Sequence, residues 1–189
     1  EEQKRKYLPD LLSGKKLGAF GLTEPNAGTD AAMQQTTAKD MGDHWLLNGT
    51  KIFISGGGIA DVYVIMAMTD KSKGNKGISS FIVEKGTPGF SRGKKENKMG
   101  IRGSIAAELV FEDCKIPKDN LLGQEGKGFK TAMSSLDVGR LGIAAQALGI
   151  AQGAFDQTVE YMKQRKQFGR SLNKFQALAF EMAEMKTKI

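Results

Sequence analysis

Residues able to do chemistry are sparse in this chain, and the densest group is Thr23-Glu24-Pro25-Asn26-Ala27-Gly28-Thr29-Asp30. Pro25 fixes φ, Gly28 admits positive φ and Asn26 favours turns, so the segment reads as a loop. It follows an apolar run, residues 17–22, which places it at a strand end. Two threonine hydroxyls and several backbone N–H groups at such a point can hold an anionic or heteroaromatic ligand. A strand-to-strand turn with local side-chain caps accounts for the same residues without any ligand. On these residues alone both readings stand.

Other chemistries find less support. The single histidine, His44, precedes Trp45 and has no second histidine with which to form a metal cluster or a triad. It reads as a surface or strand-edge residue. The single cysteine, Cys114, excludes an internal disulfide and fits a reducing compartment. Its place at an apolar strand end predicts a packed, inert thiol. Carboxylates are numerous, yet no pair is set by sequence logic at one reacting centre. Gly123-Gln124-Glu125-Gly126-Lys127-Gly128 is rich in glycine but has neither phosphate-loop nor dinucleotide spacing. It reads as a domain hinge before a helix. The residues therefore offer binding loops, with no catalytic base and no metal site.

Composition sets the frame. Hydrophobic residues make up 40% of the 189, ordinary for a globular protein, and no run of 18 apolar residues occurs. The opening Glu-Glu-Gln-Lys-Arg-Lys is not a secretory leader. A formal charge of +7 suits a polyanionic ligand, whether nucleic acid, membrane surface or phosphorylated cofactor, and equally a solvated lysine-rich surface. Glu1 is not a start methionine, and Ile189 ends a helical pattern with no stop signal, so the chain is expected to be a piece of a longer protein.

The elements that must position the loop follow from periodicity. Residues 1–12 read as the end of a helix, or as a short helix interrupted near Pro9. From Leu17 to about Cys114 the pattern is strand and turn. Trp45-Leu46-Leu47 and Lys51-Ile52-Phe53-Ile54 flank Asn48-Gly49, which predicts a hairpin there. Residues 62–68 are apolar throughout and should be buried on both faces. Strands with regular turn signals suggest a small antiparallel barrel or sandwich. From Phe129 the period becomes helical, through Met133, Leu136, Leu141, Ala145, Leu148, Phe155 and Met162. A single helix over 129–165 would be about 55 Å long at ~1.5 Å per residue. A second helix is predicted from about Asn173, joined to the first by Phe168-Gly169-Arg170-Ser171. Two such antiparallel helices are half of a four-helix bundle. The fold class is thus α+β and multidomain: 1–14 the end of a helical domain, 15–120 a middle β domain, and 121–189 the first part of a helical bundle.

The loop's sequence, Phe20-Gly21-Leu22-Thr23-Glu24-Pro25 with Ala27-Gly28-Thr29-Asp30, resembles the flavin-contacting motif of the acyl-CoA dehydrogenase family. Residues 47–57 resemble that family's second flavin segment, Asp137-Val138-Gly139-Arg140 its coenzyme A segment, and residues 165–172 with Phe175-Gln176 its C-terminal-domain motif. The resemblance runs through the whole chain in order. Residues 94–102 and 136–140 look most like the short-chain, butyryl-CoA type.

The resemblance implies an FAD-dependent oxidoreductase of fatty acid β-oxidation that converts a short-chain acyl-CoA to the 2-enoyl-CoA and passes electrons to an electron-transferring flavoprotein. It implies flavin contacts from Phe20, Leu22, Thr23, Gly28 and Thr29 on one side and from Phe53, Ile54 and Ser55 on the other. The Ser55 hydroxyl matches the donor to flavin N5, with serine where threonine is more usual; Phe53 stands where tryptophan is frequent. Thr29, Leu136, Asp137 and Arg140 would hold the CoA substrate, although an i,i+3 helical ion pair accounts for Asp137 and Arg140 equally. Arg92, Lys94, Lys95, Lys98 and Arg102 could meet CoA phosphates or form a solvated face. Arg165, Phe168 and Gln176 match residues that reach the FAD diphosphate of a neighbouring subunit, which implies a homotetramer. The proton-abstracting base is expected downstream of residue 189, so these residues alone should not turn over. The implied compartment is the cytoplasm in a bacterium or the mitochondrial matrix in a eukaryote. Rival readings are a same-scaffold dehydrogenase for a branched-chain or glutaryl acyl group and a non-enzymatic CoA- or nucleic-acid-binding module.

Overall fold

The computed structural model describes all 189 residues, in two compact units, Glu1–Ser134 and Ser135–Ile189. The first opens with helix α1 (Glu2–Leu12), which runs unbroken through Pro9 rather than stopping there. One face of α1 is anchored: the Tyr7 hydroxyl and the Lys6 ammonium both donate to Glu84 Oε1 at 2.7 Å. Tyr7 is buried in a cluster with Val62 and Ile82, so the segment read as the tail of another domain docks on the sheet.

The strands are β1 (Gly18–Gly21), β2 (Thr37–Asp40), β3 (His44–Ser55), β4 (Val62–Met68), β5 (Ile78–Glu84), β6 (Phe90–Lys95), β7 (Ala106–Pro117) and β8 (Leu121–Leu122). They hydrogen-bond in the order β6-β7-β3-β2-β4-β5-β8, with β1 parallel to β4. This corrects the barrel expectation, because the path is open, with β6 and β8 at its ends. A second irregularity lies on one edge of β4. There β1 takes Val62 to Ile65, and β2 is left with the single pair Thr37–Met68. The two halves of the sheet meet at that one pair. Their side chains share one core, in which Trp45 and Phe81 meet edge to face at 5.2 Å and Tyr63 packs on Phe90 at 4.8 Å. As its composition predicts, β4 is buried on both faces, apart from half-buried Val64.

Asn48-Gly49 does not turn the chain. β3 runs straight through it as one 12-residue strand, and the pairing with β7 slips by a residue there. The Asn48 side chain bonds across the bulge to Asp113, and Gly49 lets β3 approach Thr36 more closely than any Cβ would allow. The glycine-rich loop is likewise not a free hinge. Gly126 N–H donates to Ser79 Oγ at 2.9 Å, and a Cβ on Gly128 would lie 2.4 Å from the Ser79 backbone.

Helix α2 (Gly128–Gln164) has the predicted length, and the division between the two units falls within it, at Ser134/Ser135. In the second unit α2 is followed by a hairpin of β9 (Lys166–Gln167) and β10 (Arg170–Ser171). Phe168 and Gly169 both have positive φ, the geometry of a two-residue hairpin turn. A 3-10 turn, Leu172–Lys174, delays α3 (Gln176–Lys188), so the helix starts three residues after Asn173. The helices run back to back: Lys186 Nζ donates to Gln152 Oε1 at 2.8 Å and lies over the Phe155 ring. Leu141, Ile143, Leu148 and Ile150 on α2 are exposed. No helix is long and apolar enough to cross a membrane.

Candidate functional site

Two segments that are remote in sequence are tied together in the first unit. Ile52 N–H, on β3, donates to the Thr23 carbonyl at 2.9 Å. Thr23 opens a tight turn in which Glu24 and Ala27 exchange both backbone hydrogen bonds at 3.1 Å, leaving Pro25 and Asn26 exposed at the tip. The loop after β1 and the second half of β3 therefore form one surface.

Beneath that surface lies a buried ion pair. Lys51 has no exposed surface, and Glu24 is 4% exposed. Lys51 Nζ donates to Glu24 Oε1 at 2.7 Å, Gln34 Oε1 at 3.0 Å and the Leu22 carbonyl at 3.1 Å. Those three bonds exhaust an ammonium's donors. Glu24 also accepts the backbone N–H groups of Gln35 (2.6 Å) and Thr36 (3.0 Å). Burial pulls the Lys51 pKa down to about 8, partly opposed by the Glu24 charge. Burial pushes Glu24 the other way, but the Lys51 charge and the hydrogen bonds to the carboxylate outweigh it and leave that pKa below the ordinary value.

Immediately after Lys51 the pairing of β3 with β7 slips, from Lys51–Leu109 to Ile54–Ala107. The extra residue makes a bulge. Phe53 takes the left-handed conformation, with φ of 58°, and its ring is 62% exposed. A non-glycine residue held in this region carries strain of about 1–3 kcal/mol, and such outliers gather at ligand sites. Ile54 returns its side chain to the core, while Ser55 is exposed. The following turn is fixed from below: the Tyr63 hydroxyl lies 2.8 Å from the Ala60 carbonyl and 3.0 Å from that of Gly57, and Gly56 N–H donates to Ile105 O.

Of the residues singled out in the sequence, Phe20 and Thr23 are half-buried and Gly28 and Thr29 exposed. Leu22 and Ile54 have buried side chains and can offer a ligand only their backbones. Gly28 does not use positive φ, and a Cβ there would meet nothing within 4 Å. Within the chain neither conformation nor packing requires glycine at that position. In the second unit, Asp137 and Arg140 form an exposed ion pair at 3.1 Å, and Arg140 Nε also faces the Leu136 carbonyl at 3.4 Å. Arg165 closes the hairpin, its carbonyl accepting from Leu172 N–H at 2.9 Å. Phe168 stands at the hairpin tip, 93% exposed, and Gln176 begins α3.

The sequence reading passed over two features. One is the Lys51–Glu24 pair. The other is a cleft of about 500 Å3 whose lining includes Lys73, Lys76, Lys127 and Lys130 beside two carboxylates, Asp70 and Glu125. Lys73 is paired with Asp70 at 2.8 Å; the other three lysines make no ion pair. The lysine density of 71–76 was a signal, but nothing in the chain announces that residues 127–130 fold against it. The run from Arg92 to Arg102 is mostly exposed, with a smaller hollow of about 170 Å3 among Lys95, Lys98 and Arg102.

Comparison with known proteins adds the context. Residues 19–114 match the family model for the acyl-CoA dehydrogenase middle domain, and residues 126–189 that for the acyl-CoA dehydrogenase C-terminal domain. The chain is 64% identical over its whole length to the short-chain-specific acyl-CoA dehydrogenase of Clostridium acetobutylicum, covering 50% of it. Butyryl-CoA dehydrogenase from Megasphaera elsdenii superposes with a TM-score of 0.94 at 62% identity, over 99% of this chain and 49% of that one. A chain from a structural study of the electron transferring flavoprotein of Acidaminococcus fermentans and flavin-based electron bifurcation gives 0.95 at 64% identity, over 99% and 49%. The chain spans about half the length of the curated relatives it matches.

Proposed function

Because the chain belongs to the acyl-CoA dehydrogenase family, we propose that the full-length protein is an FAD-dependent oxidoreductase that converts a short-chain acyl-CoA to its 2-enoyl-CoA. Its electrons then pass to an electron-transferring flavoprotein. The observation that carries this reading is the surface made by Thr23 and the bulged Phe53–Ser55 segment, held together by the bond from Ile52 N–H to the Thr23 carbonyl. It presents an aromatic face beside hydroxyls that no other group in the chain engages. Gly28 leaves open space where a side chain would stand in the way of a planar ligand. These features fit an isoalloxazine ring.

When bound, FAD supplies the acceptor for the β hydrogen of the acyl chain. The chain's own residues bind and orient. Phe20, Leu22, Thr23, Gly28 and Thr29 offer backbone groups and hydroxyls to one side of the ring. Phe53 covers the other, with the backbone of Ile54 beside it, and the Ser55 hydroxyl would be the donor to N5. Thr29, Leu136, Asp137 and Arg140 are assigned to the CoA thioester. The lysine-lined cleft gives the first unit a place for a polyphosphate, as the net charge of +7 suggests. Arg165, with the planar donor fork suited to phosphate, joins Phe168 and Gln176 in reaching the FAD diphosphate of a neighbouring subunit in a homotetramer. We assign no proton-abstracting base among these residues.

The test is the visible absorption spectrum of the full-length protein, purified without added cofactor, before and after butyryl-CoA. Flavin bands that bleach are the expected result. Bands that persist would keep the cofactor and reject the substrate. A colourless protein that takes up no added FAD would reject the reading.

A further inference from the structure

Lys51 and Glu24 engage one another beneath the surface, where the ammonium has no donor left for a ligand and the carboxylate already accepts three bonds. The ammonium has three acceptors, and the carboxylate has Lys51 and two backbone N–H donors. Burying such a pair is a poor route to stability, because the desolvation of both charges offsets most of their attraction, and apolar residues of similar volume often serve as well. What the pair does provide is direction. Its bonds reach the backbone on both flanks of the Thr23 turn, at Leu22 and at Gln35 and Thr36, and they start from the β3 residue two positions before Phe53.

We propose that Lys51 and Glu24 are positioning residues that fix the two sides of the cofactor surface relative to each other. The ammonium holds the Leu22 carbonyl inward, and so fixes the chain where it enters the turn at half-buried Thr23. The same side chain anchors β3 where the bulge begins, and so sets where the exposed Phe53 ring and the Ser55 hydroxyl stand. This inference rests on the flavin reading of that surface, and it adds two residues that act from beneath without touching the ligand.

The experiment uses full-length protein and the double variant Lys51→Met with Glu24→Gln, which removes both charges and keeps the volume. Affinity for FAD is titrated on the apoproteins, and the visible spectrum and midpoint potential of the flavin are recorded at saturation. The expected result is at least tenfold weaker FAD binding, with a blurred flavin spectrum and a shifted potential. The thermal midpoint of the apoprotein should stay within a few degrees of the parent's. Parent-like affinity, spectrum and potential in the double variant would overturn the proposal. Should that variant not fold, Gln34→Met removes one of the three acceptors of Lys51. At least threefold weaker binding with an altered spectrum then supports the proposal, and unchanged binding overturns it. A parent protein that takes up no flavin overturns the flavin reading and this inference together, whereas a parent that binds FAD alongside an unaffected variant overturns this inference alone.

Discussion

Asn48 and Asp113 hold each other across the β3–β7 bulge. Asp113 N–H donates to Asn48 Oδ1 at 2.8 Å, Asn48 Nδ2 donates to Asp113 Oδ1 at 3.2 Å, and Asp113 takes the left-handed conformation with φ of 47°. The pair converts a dipeptide that would ordinarily reverse the chain into a stitch within one long strand. Replacing Asn48 with alanine should cost about 1–2 kcal/mol, the net worth of two hydrogen bonds at an exposed site. Gly49→Ala should cost more, because its φ of 144° and a Cβ placed 2.7 Å from Thr36 Cα leave no room to adjust. Urea denaturation of both variants checks the order.

The buried pair predicts how stability depends on pH. Glu24 has a folded-state pKa below its usual 4.5, so between the two values the native state binds fewer protons than the unfolded state. Its contribution is fully present above about pH 4.5 and is lost as pH falls through the folded value. Lys51 is lowered as well, but by burial. Its pKa is depressed from 10.5 to about 8, so between those values the unfolded chain keeps a proton that the native state has released. Stability from this group therefore rises from about pH 8 to 10.5. Glu24→Gln should flatten the acid limb of a denaturation-midpoint profile, and Lys51→Met the alkaline rise. Lys51→Met alone should also destabilise by about 3–5 kcal/mol at neutral pH, since it leaves the Glu24 charge buried without its partner.

Cys114, opposite Leu47 in the sheet, has no exposed surface, and burial pushes its pKa up to about 11. Thiolate is the reactive form, so both access and ionisation protect it. Labelling of the native protein by a thiol reagent at pH 8 should be slower than that of a free thiol by about 100-fold or more, and should become fast in denaturant. Rapid stoichiometric labelling without denaturant would contradict the packing.

The sequence alone was sufficient where a pattern is sustained. The apolar run at residues 62–68 marks a strand buried on both faces, and the 3.6-residue period after Phe129 marks a long helix. The four motifs identified the family, and they named half-buried Thr23 and exposed Phe53 and Ser55 in the candidate site. The tertiary structure decided what depends on partners far away in the chain. Asn48-Gly49 is a bulge because Asp113 and Thr36 lie beside it, and β2 keeps a single pair with β4 because β1 occupies the rest of that edge. Lys51 and Glu24, 27 residues apart, could not be paired from spacing, since the turns and strands between them, β2 and the start of β3, set no fixed distance in sequence. The same holds for the lysines at 73–76 and 127–130. Periodicity reports which face of an element is buried, and only the fold determines which two faces meet.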